Sequence, residues 1–331
     1  MNIEERRQKV RWPKTLWSKP RRHQRGFTLT ELLVGLVTSS IFLAATAGIA
    51  VETIKQDRRE SAKIATQGEM QLAMDYIRRD LQEAVFVYSG PEMQTQLITP
   101  GHINTNDTPV LAFWKIRAAN ECEITAANPT PPAVCTTDPG GQGIGNLSLT
   151  GNMFVLVVYY WQDNAGNTTW PADEYGPARI SRLELDAFQA SPALAQRADY
   201  RAPQPPNYVD WPYPATFGLL GSFNATLSPR QVLTAFVDSN QANPAPTAIA
   251  CPTGYNPSTN TTNGAPPSAA NAFYSIFACV YQQNAPTESQ DVILYMRGNG
   301  WARADKIAKV TDTSHYPSLQ TRVFARGNFA P

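Results

Sequence analysis

An apolar run from Phe27 to Val51 with one charged residue, Glu31, constrains this chain more than any other feature. A helix needs about 20 apolar residues to cross the hydrocarbon core of a membrane, and this run is longer. An ionised carboxylate at the centre of a membrane helix costs roughly 2.5 to 3.5 kcal/mol. The run therefore predicts a membrane-spanning helix. Because of this cost, we expect Glu31 either to pair with an opposite charge or to lie among the lipid headgroups.

The residues before the apolar run are strongly basic. Residues 1–26 contain nine Lys or Arg and only two acids, Glu4 and Glu5, in a chain whose net charge is +1. A basic flank beside a membrane helix stays in the cytoplasm, so we expect a cytoplasmic leader and an exported remainder. The near-neutral total charge gives no indication of a nucleic-acid partner, and we expect none.

The start of the apolar run resembles the processing site of type IV prepilins and type II secretion pseudopilins. The matching residues are Gly26-Phe27-Thr28-Leu29-Thr30-Glu31, preceded by Arg21, Arg22 and Arg25. The resemblance implies that a membrane-embedded prepilin peptidase cuts between Gly26 and Phe27 and that the new amine of Phe27 is methylated. It also implies that Glu31 attracts the terminal amine of a neighbouring subunit in a fibre and so sets subunit register.

This resemblance implies the partners and the location of the protein. The expected partners are the prepilin peptidase, other pilins or pseudopilins, an inner-membrane assembly platform and membrane lipid. Before assembly, the protein would cross the inner membrane once, with its head in the periplasm or outside the cell. After assembly it would belong to a pilus or pseudopilus.

Two other interpretations of the N-terminus stay open. An ordinary secretory signal also has a basic start and an apolar core, and Ala45-Thr46-Ala47 has the form of its cleavage site. Glu31 would interrupt that core, however. A membrane anchor without processing is the second alternative. The three hypotheses predict different mature N-termini: methylated Phe27, Gly48 or Met1.

The absence of proline between Arg21 and Gly90, in a chain with 27 prolines, predicts one long helix from about Phe27 to about Ala84. Its second half has an apolar stripe at helical spacing that should pack on a sheet. The stripe consists of Met70, Met74, Ile77, Leu81 and Ala84, and we expect Arg78, Arg79, Asp80 and Glu83 largely on the other side. The predicted segments are a removed leader (1–26), a transmembrane half-helix (27–51), an amphipathic half-helix (52–84) and a globular head (85–331).

After Gly90 the pattern changes to short β-rich runs separated by turns, which predicts an α+β fold with a mainly antiparallel sheet and long loops. The resemblance to prepilins implies that this fold is pilin-like. Met153–Trp161 is apolar throughout and should be central and covered on both faces, whereas Arg179–Leu185 alternates and should have one solvated face. The predicted strands are Val85–Tyr88, Val110–Trp114, Met153–Trp161, Arg179–Leu185, Val232–Val237, Phe273–Tyr281, Val292–Met296 and Gln320–Phe324.

The four cysteines all lie in the part that would be exported. An even number in an oxidising compartment predicts two disulfides, with three possible pairings. Proximity in the sequence favours Cys122–Cys135 and Cys251–Cys279. A zinc site is the alternative, but the chain has no C-x-x-C pair and only three histidines.

No known catalytic motif occurs in the chain, so we expect no catalytic residues, no cofactor and no metal. The polar residues of 163–174 could bind calcium or simply form turns. An enzymatic or carbohydrate-binding head on a prepilin-like anchor is the alternative function, with Tyr208, Trp211 and Tyr213 as candidate sugar contacts.

Three further segments look like the W-type and J-type minor subunits, especially the cyanobacterial pseudopilins of hormogonium polysaccharide secretion. These segments are Arg78-Arg79-Asp80-Leu81, Ile293–Asn299 and Leu319–Gly327.

Overall fold

The computed structural model describes residues 26–98, 103, 107–118, 152–185, 230–239, 250–258, 275–281, 290–305 and 315–326. The chain divides into an N-terminal unit, Met1–Ile54, and a C-terminal unit, Lys55–Pro331. The described part of the N-terminal unit is the first half of one long helix. The C-terminal unit contains the second half of that helix and all the described strands.

The order of the elements confirms an α+β chain in which a long helix precedes antiparallel strands. The helices are α1 (Leu29–Gln82), α2 (Gly90–Met93), a π-helical turn (Gln94–Ile98), α3 (Ala172–Tyr175) and α4 (Gly300–Asp305). The strands are β1 (Ala84–Val87), β2 (Thr108–Ala118), β3 (Asn152–Asp163), β4 (Ala178–Leu185), β5 (Gln231–Val237), β6 (Tyr255–Pro257), β7 (Ile276–Tyr281), β8 (Asp291–Arg297) and β9 (Ser318–Phe324). The helix ends two residues before the predicted Ala84, which instead opens β1.

The strands form two antiparallel sheets where the sequence predicted one. The first has the order β1-β2-β3-β4-β5 and the second the order β6-β7-β8-β9. One isolated bridge, between Val237 and Gly298, joins the end of β5 to the residue after β8. Strand pairing depends on contacts distant in sequence, so the spacing of strands alone could not show where the first sheet ends.

The central position predicted for β3 is confirmed. Its side chains alternate between two apolar clusters, one on the α1 side and one on the opposite side of the sheet. The first cluster includes Val155, Val157 and Tyr159, and the second includes Leu156, Val158 and Tyr160. The solvated face predicted for β4 is wrong, because Arg179 and Ser181 are buried on one face and Arg182 on the other.

The second half of α1 packs on both sheets through the predicted apolar stripe. Met70, Met74, Ile77 and Leu81 are buried in one cluster with residues of both sheets. The helix also approaches the junction of the sheets closely, because a Cβ at Gly298 would lie only 2.8 Å from Thr66 Cγ2. Glycine therefore permits this contact.

Asp80 lies on the buried face of α1, and its predicted position on the other side is wrong. Its carboxylate is 2.8 Å from Lys115 Nζ and 2.7 Å from Arg182 Nε, and Tyr159 donates a hydrogen bond to it at 2.7 Å. Burial tends to raise the pKa of Asp80, but the hydrogen bonds from Arg182 and Lys115 outweigh burial and hold the pKa below its ordinary value. Three residues on β2, β3 and β4 thus join the helix to the sheet.

Asp238, just after β5, is a second buried acid and lies where the sheets meet. Its backbone N–H donates to the Arg297 carbonyl at 3.1 Å, and its side chain is 3.2 Å from Arg297 Nη1. Burial raises the pKa of Asp238 to about 7, although the Arg297 guanidinium opposes this shift. The folded state therefore binds a proton at Asp238 more readily than an unfolded chain does.

A disulfide joins Cys251 to Cys279, across a sequence separation of 28 residues. Cys279 is on β7, and Cys251 precedes β6. The bond thus attaches the short strand β6 to its neighbour. Cys122 and Cys135 lie outside the described residues.

Replacing Asp80 by Ala should lower the free energy of unfolding of the C-terminal unit by about 3 to 5 kcal/mol, because Lys115 and Arg182 would stay buried without their counter-charge. Asp75→Ala is the control: Asp75 pairs with Arg78 on the exposed side of α1, so its loss should cost less than about 1 kcal/mol. Chemical denaturation in detergent, followed by tryptophan fluorescence, measures both variants. Equal losses of unfolding free energy in the two variants would contradict the role of Asp80 as the buried counter-charge of Lys115 and Arg182.

Asp238 should make the C-terminal unit less stable as the pH rises. The folded state holds the Asp238 proton up to about pH 7, because the pKa is raised from 3.8 to about 7. The free energy of unfolding is therefore highest at low pH, and this contribution of Asp238 is lost as the pH rises through about 7. Asp238→Asn should remove this slope, which reaches at most about 1.4 kcal/mol per pH unit. The free energy of unfolding, measured between about pH 5 and about pH 8, tests this prediction. If its slope against pH is unchanged in the variant, Asp238 is not the source of the pH dependence.

Candidate functional site: the N-terminal segment

Gly26 and Phe27 lie just before α1, and Thr28 caps the helix. The Glu31 N–H donates to Thr28 Oγ1 at 3.3 Å, and the Leu32 N–H donates to the Thr28 carbonyl at 3.1 Å. Threonine is a favoured cap because its side-chain oxygen satisfies an N–H that the first turn leaves unpaired. A Cβ at Gly26 would meet no atom within 4 Å, so the described structure does not itself require glycine there.

The hydroxyl side chains of the apolar run are all hydrogen-bonded within the helix. Thr28 Oγ1 and Thr30 Oγ1 are 3.1 Å apart. The others donate to carbonyls three or four residues earlier, at distances between 2.8 and 3.1 Å: Thr38, Ser39, Ser40 and Thr46. These hydroxyls therefore need no water, which suits a helix surrounded by lipid or by other apolar helices.

Glu31 differs from these hydroxyl residues. It is exposed, and its carboxylate neither accepts a hydrogen bond nor forms an ion pair with any residue that the structure describes. The helix dipole favours an acid in the first turn by about 0.3 to 1 kcal/mol, which is less than the cost of a carboxylate deep in lipid. The charge of Glu31 is thus available to a group outside the described chain.

The apolar side chains around Glu31 are also uncovered. Phe27 is 81% exposed and Leu29 82%, and the most apolar window of α1 has no buried residue. By length and composition this part of the helix can cross a membrane. An apolar surface of this size is unfavourable in water, so lipid or another protein must cover it.

A scan against protein-family models matches residues 21–47 to the prokaryotic N-terminal methylation motif. The searches of curated proteins and of solved structures found no match. The matched range contains the basic residues, Gly26, Phe27, Glu31 and most of the apolar run. Together with the long helix and antiparallel strands, the motif supports a pilin-like architecture and anchoring of the N-terminal helix in the inner membrane. The motif also implies processing by prepilin peptidase and assembly with other pilins.

Other residues considered from the sequence have structural partners or lie outside the described residues. Asp163 accepts the Ala165 N–H at 2.9 Å, and Asn167 accepts the Thr169 and Trp170 N–H groups, so these candidate calcium ligands form turns. No group of three His, Cys, Asp or Glu within the described ranges could hold a metal ion. Residues 1–25 of the leader (1–26) and the aromatic residues 208–213 lie outside those ranges.

A buried charge cluster is the main feature of the C-terminal unit that the sequence did not predict. It consists of Asp80 with Lys115 and Arg182. Two signals could have indicated it: Asp80 follows the stripe residue Ile77 by three positions, and Lys115 interrupts an apolar strand. The cluster contributes to packing rather than to the N-terminal site.

Replacing Gly26 by Leu should leave an uncut precursor that runs about 26 residues heavier on a gel. The open space around Gly26 should allow this variant to fold normally, so loss of cutting would reflect the peptidase rather than the fold. Gly35→Leu is the control, because this helical glycine has similar open space outside the cleavage site. A mature-sized Gly26→Leu product would contradict cutting at this position.

Proposed function

We propose that this protein is a minor pilin or pseudopilin, a structural subunit of a type IV pilus-like or type II secretion-like fibre. Its precursor crosses the inner membrane once, with the leader in the cytoplasm and the C-terminal unit on the other side. Prepilin peptidase removes the leader after Gly26, and Phe27 becomes the methylated N-terminus. The subunit then leaves the membrane and joins the fibre through its N-terminal helix.

The observation that supports this proposal most is the carboxylate of Glu31, which lies in the first turn of an exposed apolar helix and has no partner among the described residues. The hydroxyl side chains of the apolar run are hydrogen-bonded locally, whereas the Glu31 carboxylate has no such bond among the described residues. A neighbouring subunit's terminal amine would supply the opposite charge. Apolar surroundings screen such a pair poorly, so a misplaced neighbour would leave both charges unpaired and would be disfavoured.

The proposed role is mechanical rather than catalytic. Contact between apolar helices supplies the association energy, and pairing with Glu31 selects the register. The length of the chain supports a minor rather than a major subunit, because a C-terminal unit from Lys55 to Pro331 would be difficult to repeat along a closely packed fibre.

The resemblance of Arg78–Leu81, Ile293–Asn299 and Leu319–Gly327 to W-type and J-type subunits supports a pseudopilin that takes part in secretion, with polysaccharide as the candidate cargo. Crosslinking in the native membrane, followed by mass spectrometry, tests this assignment because the neighbouring subunits identify the machine. Partners from a retractable pilus alone would contradict a secretion role.

Glu31→Ala and Glu31→Leu should block incorporation into the fibre while leaving the C-terminal unit folded. Glu52→Ala is the control, because Glu52 is another exposed acid on α1 but lies beyond the apolar run. Fibres sheared from cells and probed with an antibody measure incorporation, and protease resistance of the C-terminal unit reports folding. Normal incorporation of both Glu31 variants would refute the proposed pairing.

A further inference from the structure

The segment of α1 that follows the apolar run is rich in charged residues, and its cations and acids are separated around the helix. Lys55, Arg58 and Arg59 are spaced at i, i+3 and i+4, so their side chains lie on neighbouring parts of one surface. The acids Asp57 and Glu60 each lie two positions after one of these cations, and side chains at that spacing do not face each other. The segment thus presents a cationic surface.

Two of the three cations have no counter-charge within the described chain. Lys55 and Arg58 are exposed, and neither forms a hydrogen bond or an ion pair with any residue that the structure describes. Glu52 lies three positions before Lys55, a spacing that permits an ion pair, yet no such pair forms. Like charges on adjacent turns of a helix repel each other, so an anion from outside the chain would relieve the repulsion between these two cations.

Arg59, the third cation, is held against the C-terminal unit. Its guanidinium carbon lies 5.2 Å from the centre of the Trp301 ring, and Trp301 is buried on α4. Gly300 allows α4 to come this close to α1, because a Cβ there would be only 3.3 Å from Lys63 Cα. Arg59 is therefore fixed in place, and the two exposed cations beside it are available to an outside partner.

The position of these cations along α1 indicates which partner they meet. The apolar run that can cross a membrane ends at Val51. Lys55 and Arg58 follow it by about 6 and 10 Å along a helix. The headgroup layer on each side of a membrane is about 5 to 8 Å deep, and helical side chains lean toward the N-terminus, here toward the apolar run. Both cations can therefore reach the phosphate groups of the lipids.

Membrane topology does not account for these cations. Basic residues beside a membrane helix favour the cytoplasmic side, and the leader already has nine of them. In the proposed orientation, Lys55 and Arg58 lie on the exported side, which this preference disfavours. Anionic lipid attracts basic residues beside a membrane surface, and this attraction would keep the start of the C-terminal unit at the membrane.

We propose that Lys55 and Arg58, beside the fixed Arg59, bind the phosphate of an anionic phospholipid and hold the start of the C-terminal unit at the membrane surface. Ammonium and guanidinium groups both donate charge-assisted hydrogen bonds to phosphate. A zwitterionic lipid is a poorer partner, because its own cation neutralises the phosphate. The proposal rests on the membrane anchor of the proposed function, but it requires neither cleavage after Gly26 nor pairing of Glu31.

Acetylation of lysines tests the proposal, because an ammonium group bound to phosphate reacts more slowly. The full chain is placed in lipid nanodiscs, either of phosphatidylcholine alone or of phosphatidylcholine and phosphatidylglycerol in equal parts. Labelling of Lys55, measured by mass spectrometry, should be about three-fold slower in the discs with phosphatidylglycerol. Lys63 lies about 12 Å further along α1 and should be labelled at the same rate in both discs. Equal labelling of Lys55 in both discs would overturn the proposal.

Two variants separate a bound lipid from the general negative potential of the membrane. Arg58→Gln removes one member of the site and should reduce the slowing at Lys55 to less than about 1.5-fold. Arg79→Gln removes an exposed cation in the last turn of α1 and should leave the slowing unchanged. Slowing that persists in Arg58→Gln, or that falls equally in both variants, would refute the site.

Two further results would also contradict the proposal, for different reasons. If inorganic phosphate slows Lys55 labelling equally in discs of phosphatidylcholine alone, the cations bind a free anion rather than a lipid. Loss of the chain from the discs would instead contradict the membrane anchor, on which both this site and the proposed function rest.

Discussion

The carboxylate of Glu31, which has no partner among the residues that the structure describes, is the constraint behind the proposed role of this protein. The apolar run around it satisfies its own hydroxyl groups, yet leaves one charge and a large apolar surface for other molecules. In water that surface would be unfavourable, and in lipid the isolated charge would be costly. A membrane followed by a fibre of similar helices accommodates both properties, because neighbouring subunits can cover the apolar surface and supply an opposite charge.

In the C-terminal unit, the side chains of the same helix are covered by other parts of the chain. There its apolar stripe is covered by two sheets, and its acid Asp80 has three partners within the chain. A buried charge that loses its partner is strongly unfavourable. The ion pairs of Asp80 with Lys115 and Arg182 therefore oppose separation of the helix from the sheets. The first half of α1 thus depends on partners outside the chain, whereas its second half is held by contacts within the C-terminal unit.

The sequence predicted the elements with local signals and missed those that depend on distant contacts. The apolar run of β3 and the proline-free helix were sufficient to predict a central strand and a long α1, and all eight predicted strands occur. The three-residue β6, the division into two sheets and the buried face of β4 could not be predicted. The alternating pattern of β4 indicated a solvated face, but Asp80 pairs with Arg182 there. At the N-terminus, the motif gave the candidate residues, while the structure added the absence of a partner for Glu31 among the described residues.

The most direct test of this account is the mass of the amino-terminal peptide of the mature protein, purified from membranes and digested with trypsin. The account predicts a peptide from Phe27 to Lys55 with one methyl group on its amine, because processing creates the terminus that a neighbouring Glu31 would pair with. A peptide that begins at Gly48 would indicate an ordinary secretory signal. Retention of Met1 would indicate an unprocessed anchor, and either result would contradict cleavage after Gly26.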